Sequence, residues 1–335
     1  MNQQPPSPEK ILSYTLQGMA STAALGAAAT HSLFTHIEKG AGTVEEIARA
    51  ASISVRGAQA LLDAMVALEL LQVADGTYKN SPEASFYLVE GKPAYLGTHA
   101  KMIFSPFGRS FLTLPEVAKT GVSGFEHTAE VADNPFWEEL VLAIVPLALP
   151  VTHALVERLD FSKMASPSVL DIGGGSGIFS VVLLGANDTA TATQIDWAAV
   201  NRIGERFVAR HGVADRFTTI DGNFHTTDLG DGRYDVIIYS NIAHQESPAD
   251  NTAMFRKAKK ALRPGGVFVI SDFVLNDDRT PNHPWTGIFH TFMLLQSKAG
   301  ATWRQADYRA WLSEAGFHKV EFSRTMSPST LVLAR

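Results

Sequence analysis

The segment richest in chemistry is Val169-Leu170-Asp171-Ile172-Gly173-Gly174-Gly175-Ser176-Gly177-Ile178. An apolar run enters a glycine turn, and an apolar helix pattern leaves it. Such a turn lets a ligand approach the backbone and aims helix N–H groups at it. The dinucleotide fingerprint G-x-G-x-x-G/A is not met, because neither Gly173 nor Gly175 as a start supplies glycine or alanine at the third position. The pattern that fits is Asp-x-Gly-x-Gly-x-Gly, over Asp171, Gly173, Gly175 and Gly177. An acid in the loop repels a pyrophosphate and suits a ligand with an ammonium group.

Two more acids end the next two expected strands. Asp196, followed by Trp197, stands 196 − 171 = 25 residues after the first acid, where a carboxylate can accept from a ribose diol. Asp221 opens Asp221-Gly222-Asn223-Phe224, where an acid can take an adenine amino group and Phe224 can cover the ring. Each acid alone is explicable as a helix cap. Together they describe a ligand with an amine, a diol and a purine, which is S-adenosylmethionine. A general base is then needed next to it. His244, in Ser240-Asn241-Ile242-Ala243-His244-Gln245, lies just past a fourth apolar run, where open α/β sheets place ligands. Asp272, 272 − 244 = 28 residues on, closes the fifth run. Ser240 and Asn241 are further donor contacts, through backbone groups.

The elements that must position these residues alternate. Strands are expected at Val169–Ile172, Thr191–Asp196, Phe217–Asp221, Tyr234–Ser240 and Val267–Phe273, with helices around Phe179–Leu184, Trp197–His211 and Pro248–Arg263. That alternation is the signature of an α/β fold with a parallel sheet. Ser247 as N-cap, Pro248 at the first helical position and Asp250 signal the start of the last helix, and Arg263-Pro264-Gly265-Gly266 its end. A helix at Gln305–Ala315 and strands at Lys319–Phe322 and Thr330–Ala334 suit an antiparallel hairpin closing the sheet.

Upstream, Ile11 to about Lys39 reads as one or two helices. Thr43 with Glu46 is a capping-box pattern, a second helix carries Leu61 to Leu70, and Leu71–Val73 and Tyr78–Asn80 flank a tight turn. Helix, helix, hairpin is the winged-helix pattern. Between Thr43 and Leu71 there are four acids and two bases, so the phosphate-neutralising stripe of a DNA reader is lacking. Packing or dimerisation is the expected use. Residues 92–150 read as helical and rich in aromatics. The expected division is 1–100 winged-helix-like dimerisation domain, 101–160 helical connector contributing to the acceptor pocket, and 161–335 catalytic domain.

Composition narrows the alternatives. Of 335 residues 45% are hydrophobic, enough for a sizeable core, and the net charge of −6 disfavours general nucleic-acid binding. The absence of cysteine excludes disulfides, zinc–thiolate sites and a cysteine nucleophile. The start, MNQQPPSPEK, has no secretory pattern, and the longest apolar run, Leu140–Val151, holds two prolines and falls short of the roughly 20 residues of a span. A cytoplasmic protein without membrane or nucleic-acid partners is expected.

The chain resembles the S-adenosylmethionine-dependent O-methyltransferases of the plant caffeic-acid and bacterial natural-product type. The likeness rests on Val169–Gly177, Asp221–Phe224 and Ala261–Gly266, and covers nearly the whole chain. It implies a class I methyltransferase Rossmann-like sheet behind a winged-helix-type domain, a homodimer joined through that domain, and a small-molecule acceptor. It implies His244 as general base, oriented by Asp272. Full proton transfer from a phenol (pKa about 10) to an imidazole (about 6.5) ahead of methylation would cost roughly 5 kcal/mol, so transfer concerted with methylation is expected. The family often has aspartate after this histidine, where Gln245 stands, and plant members have a further glutamate where Lys298–Trp303 holds no acid. His290, in the helix that faces the acceptor in the family, keeps a second reading open: C- or N-methylation, with His244, Asp272 and His290 converging on a metal or an enolisable acceptor. No metal is the main expectation. A non-catalytic, ligand-sensing regulator is the other rival. Acceptor-pocket candidates are Phe104, Phe107, Trp137, Trp285, Phe289, His290 and Met293.

Overall fold

The structure is a computed structural model that describes residues 6–92, 94–123 and 140–335, and the backbone of 136–139. It divides into two units, Met1–Ser110 and Phe111–Arg335.

In the first unit, residues 11–39 form parts of three helices, Glu9–Tyr14, Leu16–Thr30 and Leu33–Glu38, where one or two were expected. The break between the last two is made by Ser32 in the left-handed region, with φ 52°. Thr43 caps the helix Val44–Ala50 as its spacing predicts: its hydroxyl accepts from the Glu46 N–H at 3.3 Å while Glu46 accepts from the Thr43 N–H at 3.1 Å. The helix Val55–Ala67 buries Ala58, Leu62 and Met65, spaced to lie on one face. Strands β1 (Leu71–Ala74) and β2 (Thr77–Asn80) pair through Asp75 and Gly76, both at positive φ, which two-residue hairpins require. Phe34, Ile47, Leu62, Met65, Leu71 and Tyr78 share its core.

The second unit is built on seven strands: β3 (Ser168–Ile172), β4 (Thr191–Asp196), β5 (Phe217–Asp221), β6 (Tyr234–Ser240), β7 (Leu262–Asp272), β8 (Val320–Arg324) and β9 (Thr330–Ala334). Their order is β5-β4-β3-β6-β7-β9-β8. The first five are parallel, and β9 runs antiparallel to both β7 and β8. Core clusters cover both faces, which is why the central strands β3 and β6 read as nearly unbroken apolar runs. Crossovers leave β3 toward β4 and β5, then return to β6 and β7. The order therefore reverses between β3 and β6, and the crevice beyond their carboxyl ends is where open α/β sheets bind ligands.

Strand β7 starts at Leu262, five residues ahead of the expected Val267. Leu262 pairs with Tyr234 and Val267 with Val236, so Arg263–Gly266 bulges from the ladder opposite Asp235, whose carboxylate Arg263 binds at 2.6 Å. Pro264 has no N–H for a ladder, and the bulge removes the need for one. At the Pro248–Ala261 helix, Ser247 caps the Asp250 N–H at 3.1 Å; the Asp250 carboxylate accepts from the Ser247 hydroxyl, not from its N–H as a reciprocal box would have it. Among the described residues no helix is long and apolar enough to cross a membrane.

Candidate active site

The glycine turn after β3 is packed from both sides. Gly173 holds φ +63°, a conformation that strains any side chain, and a Cβ there would stand 2.1 Å from Ile242 Cδ1, which would have to move aside. The N–H of Gly175 donates to Asp196 Oδ2 at 3.0 Å, and that of Trp197 to Asp196 Oδ1 at 2.8 Å. Asp196 thus ties the end of β4 to the turn. Beneath the turn Asp171 is fully buried, and neither of its carboxylate oxygens has a hydrogen-bond partner. Burial, and second the nearby Asp196 charge, push the Asp171 carboxyl up to about 7. Burial pushes Asp196 up to about 6, against the two backbone N–H groups that favour its ionised form.

Two residues outside the sequence-derived set knit this rim. Gln194 and Asn201 are both fully buried. Gln194 Nε2 donates to the Gly175 carbonyl at 3.2 Å and to Asn201 Oδ1 at 3.1 Å. Asn201 Nδ2 reaches the Asp196 and Ile220 carbonyls and, at 2.7 Å, Asp221 Oδ1. Both are polar residues at positions that the fold buries, and nothing in the spacing names their partners. Asp221 is also bound by Arg202 at 2.6 Å, so its carboxylate already has protein donors. Gly222 donates its N–H to the Asp196 carbonyl, Asn223 accepts from the His225 N–H, and Lys257 fixes the Phe224 carbonyl at 2.6 Å. Trp197 packs with Val141, Val200 and Ile203. At the end of β6, Ser240 accepts from the Asn241 side chain at 3.3 Å, and Asn241 holds φ 57°, a strained conformation of the kind that concentrates at functional sites.

Beyond that turn, His244 and Asp272 meet. Nδ1 of His244 lies 2.6 Å from Asp272 Oδ1, and the His244 N–H donates to Oδ2 at 3.0 Å. The Phe273 N–H adds a bond to Oδ1 at 2.7 Å. Both side chains are buried. With Nδ1–H given to the carboxylate, Nε2 is the nitrogen left to take a proton. Phe289 stands edge-on to the imidazole, centroids 4.8 Å apart, and packs on Phe273 at 4.3 Å.

The acid-free stretch Lys298–Trp303 supports the histidine through backbone and indole. Ala301 N–H donates to the His244 carbonyl at 2.9 Å, Trp303 Nε1 to the Ala243 carbonyl at 3.0 Å, and the Ser297 hydroxyl to the Gln245 carbonyl at 3.0 Å. Gln245 itself donates to the Asn241 carbonyl. A Cβ on Gly300 would fall 2.2 Å from the His244 carbonyl oxygen and 2.9 Å from Gln245 Cα. Gly300→Ala must therefore push the histidine's backbone, and misplacement on the order of 1 Å costs about 100-fold in rate. We expect kcat to fall by about tenfold or more, with affinity for S-adenosylhomocysteine within about twofold of the parent. Unchanged turnover would show that the close contact does not position the imidazole.

Of the acceptor candidates, Trp285, Phe289, His290 and Met293 lie on the helix Pro284–Gln296, with Phe289 and Met293 buried. His290 is half-buried, and burial, then the Arg279 charge, hold its imidazole below the usual range. Phe104 and Phe107 belong to the first unit, and the Trp137 side chain lies outside the described residues. Among the described residues no three His, Asp or Glu side chains converge as metal ligands, so the gathering of His244, Asp272 and His290 around a metal is not found.

Comparison with known proteins decides the family. An O-methyltransferase domain matches residues 120–318, and an O-methyltransferase dimerisation domain matches residues 14–90. The chain belongs to the O-methyltransferase family. It is an S-adenosylmethionine-dependent methyltransferase. Its relatives include the Streptomyces glaucescens tetracenomycin polyketide synthesis 8-O-methyl transferase TcmO, 29% identical over 98% of this chain and 96% of that one. The Streptomyces sahachiroi 3-hydroxy-5-methyl-1-naphthoate 3-O-methyltransferase is 27% identical over 95% of this chain and 92% of that one. The fold is shared with human N-acetylserotonin methyltransferase, solved in complex with SAM, at a TM-score of 0.85 and 21% identity over 100% and 99% of the two chains. The family identity places the methyltransferase's sheet in class I and its first unit with the dimerisation domains, in line with the helix–helix–hairpin pattern of its sequence.

Proposed function

We propose that this methyltransferase transfers a methyl group to a phenolic hydroxyl of a flat, polyketide-like aromatic acceptor, with His244 as general base. The observation that carries the reading is the buried His244–Asp272 pair at the carboxyl ends of β6 and β7, beside the reversal of strand order. The residues present fit the donor. A buried carboxylate without a hydrogen-bond partner, Asp171, lies under a turn whose Gly173 holds a positive φ, and Asp196 rims it. Asp171 would supply negative charge toward the amino-acid end, Asp196 would face the ribose diol, and the Asp221–Phe224 turn would take the adenine. Gly173, Gly175, Trp197, Ser240 and Asn241 complete the cradle through backbone and packing.

When bound, the donor supplies an electrophilic methyl on a sulfonium. His244 Nε2 accepts the acceptor's proton as the new O–C bond forms, and Asp272 stabilises the resulting imidazolium without taking the proton itself. Phe289, Trp285 and Met293 offer an apolar wall that excludes water and stacks on the ring. The dimerisation-domain match and the exposed Ile11, Leu12, Leu16 and Met19 support a homodimer formed through the first unit.

Incubation with methyl-¹³C S-adenosylmethionine and a panel of hydroxynaphthoates, read by carbon NMR, tests the reaction. A methoxy signal is expected. An aryl-methyl signal would replace the reading with C-methylation, the chemistry of the 27% identical L-tyrosine C(3)-methyltransferase of Streptomyces lavendulae.

A further inference from the structure

The chain bends sharply at Asn241, directly after β6. Its φ of 57° lies in the left-handed region, which an asparagine enters at a cost and keeps only where its surroundings over-determine it. Three hydrogen bonds meet at this residue. Its N–H donates to the Ser271 carbonyl on β7 at 2.8 Å, its side chain donates to Ser240 Oγ at 3.3 Å, and its carbonyl accepts from Gln245 Nε2 at 3.0 Å. The first ties the bend to the sheet and the second is local. The third spans the turn and closes a ring around Ile242, Ala243 and His244.

Gln245 can act as a fixed post because its own backbone is tied on both sides. Its N–H donates to the Ile242 carbonyl at 2.8 Å, and its carbonyl accepts from the Ser297 hydroxyl at 3.0 Å. The bend at Asn241 aims the next residue, Ile242, which is buried and lies against Gly173 in the glycine turn. One side-chain amide thus connects the turn that carries His244 to the residue packed on the proposed donor cradle. A carboxylate at position 245 would have no N–H to give at neutral pH, so the closure depends on the amide.

We propose that Gln245 is a positioning residue for both reactants: by donating to the Asn241 carbonyl it holds the left-handed bend that seats Ile242 against the glycine turn and carries His244 to its place. The inference rests on the donor and base assignments made above.

Gln245→Met keeps the length of the side chain and removes the donor, and Gln245→Glu keeps its shape and does the same at neutral pH. Each is expected to weaken S-adenosylhomocysteine binding about fivefold by calorimetry and to lower kcat with a hydroxynaphthoate about fivefold, the size of one part-buried hydrogen bond. The KM for the hydroxynaphthoate should stay within about twofold, a split that a general loosening of the fold would not give. Glycine occupies positive φ as readily as negative, so in an Asn241→Gly background the further loss of affinity from Gln245→Met should shrink to about twofold or less. Parent-level affinity and kcat in both Gln245 variants, or an equal loss with Asn241 and with Gly at that position, overturns the role of Gln245. Parent-level S-adenosylhomocysteine binding by Asp196→Ala sinks the donor reading itself and this inference with it. Weakened binding by Asp196→Ala together with an equal loss in both backgrounds sinks the present inference and leaves the donor reading standing.

Discussion

His244→Ala is expected to lower kcat by about a thousandfold while the affinity for S-adenosylhomocysteine stays within about twofold, the middle of the range for loss of a positioned general base. The argument is geometric. Nδ1 is committed to Asp272 at 2.6 Å, and the backbone N–H of the same histidine binds the other carboxylate oxygen at 3.0 Å, so ring and main chain are clamped by one side chain. The imidazole can then present only Nε2 to a hydroxyl. In the proposed reading the acceptor hydroxyl then loses the imidazole that takes its proton, and methylation must wait for prior ionisation. His244→Gln serves as a second variant, since alanine leaves a space beside Phe289 and Phe273. Single-turnover transfer of labelled methyl, alongside calorimetry with S-adenosylhomocysteine, separates chemistry from donor binding. Parent-level transfer by both variants would remove His244 from the reaction. A loss of donor binding in both would instead mean that the turn after β6 had collapsed.

The parts of this site legible in the sequence are those where local chemistry and strand ends coincide. Asp171, Asp196 and Asp221 each stand at the end of an expected strand, and the structure sets them at the carboxyl ends of β3, β4 and β5. His244 and Asp272 follow the same rule on β6 and β7. The start of β7 was not legible, because Arg263-Pro264-Gly265-Gly266 locally spells a stop, and only Leu262 opposite Tyr234 across the sheet extends the strand. Gln194, Asn201 and Gly300 were missed for a related reason. Each is a single residue whose partner lies on another element, Gly175, Asp221 and His244 respectively. One-dimensional spacing carries no trace of such pairings. The lack of an acid in Lys298–Trp303, visible in the sequence as a gap, turns out to coexist with a backbone-and-indole clamp on the same histidine.

Asp196→Ala is expected to weaken S-adenosylhomocysteine binding by about 100-fold, roughly two tenfold steps of charge-assisted hydrogen bonding. The carboxylate organises Gly175 and Trp197 through their N–H groups, and in the proposed reading it also takes the donor's diol. Its protonation bears on both, and Asp171, buried beneath the turn without a hydrogen-bond partner, is the second carboxyl whose protonation counts. Burial raises the two carboxyls to about 6 and about 7. Their folded-state values therefore exceed the ordinary aspartate value. The stability they lend the ligand-free protein is fully present below that ordinary value and is lost as pH rises through 6 to 7, where each must ionise out of water. A ligand carrying an ammonium group reverses the preference, since it favours the ionised carboxylate. Donor affinity should then rise between pH 5.5 and 7.5, by up to about tenfold per pH unit for each proton released. Calorimetry in two buffers of different ionisation enthalpy counts those protons. Asp196→Ala should both weaken binding and reduce the count, while Asp171→Asn should reduce the count with the Asp196 contacts intact. A flat affinity across that range, with no proton released, would mean that the donor does not meet these carboxylates at all, because no cationic ligand can sit against a titrating acid without shifting its equilibrium.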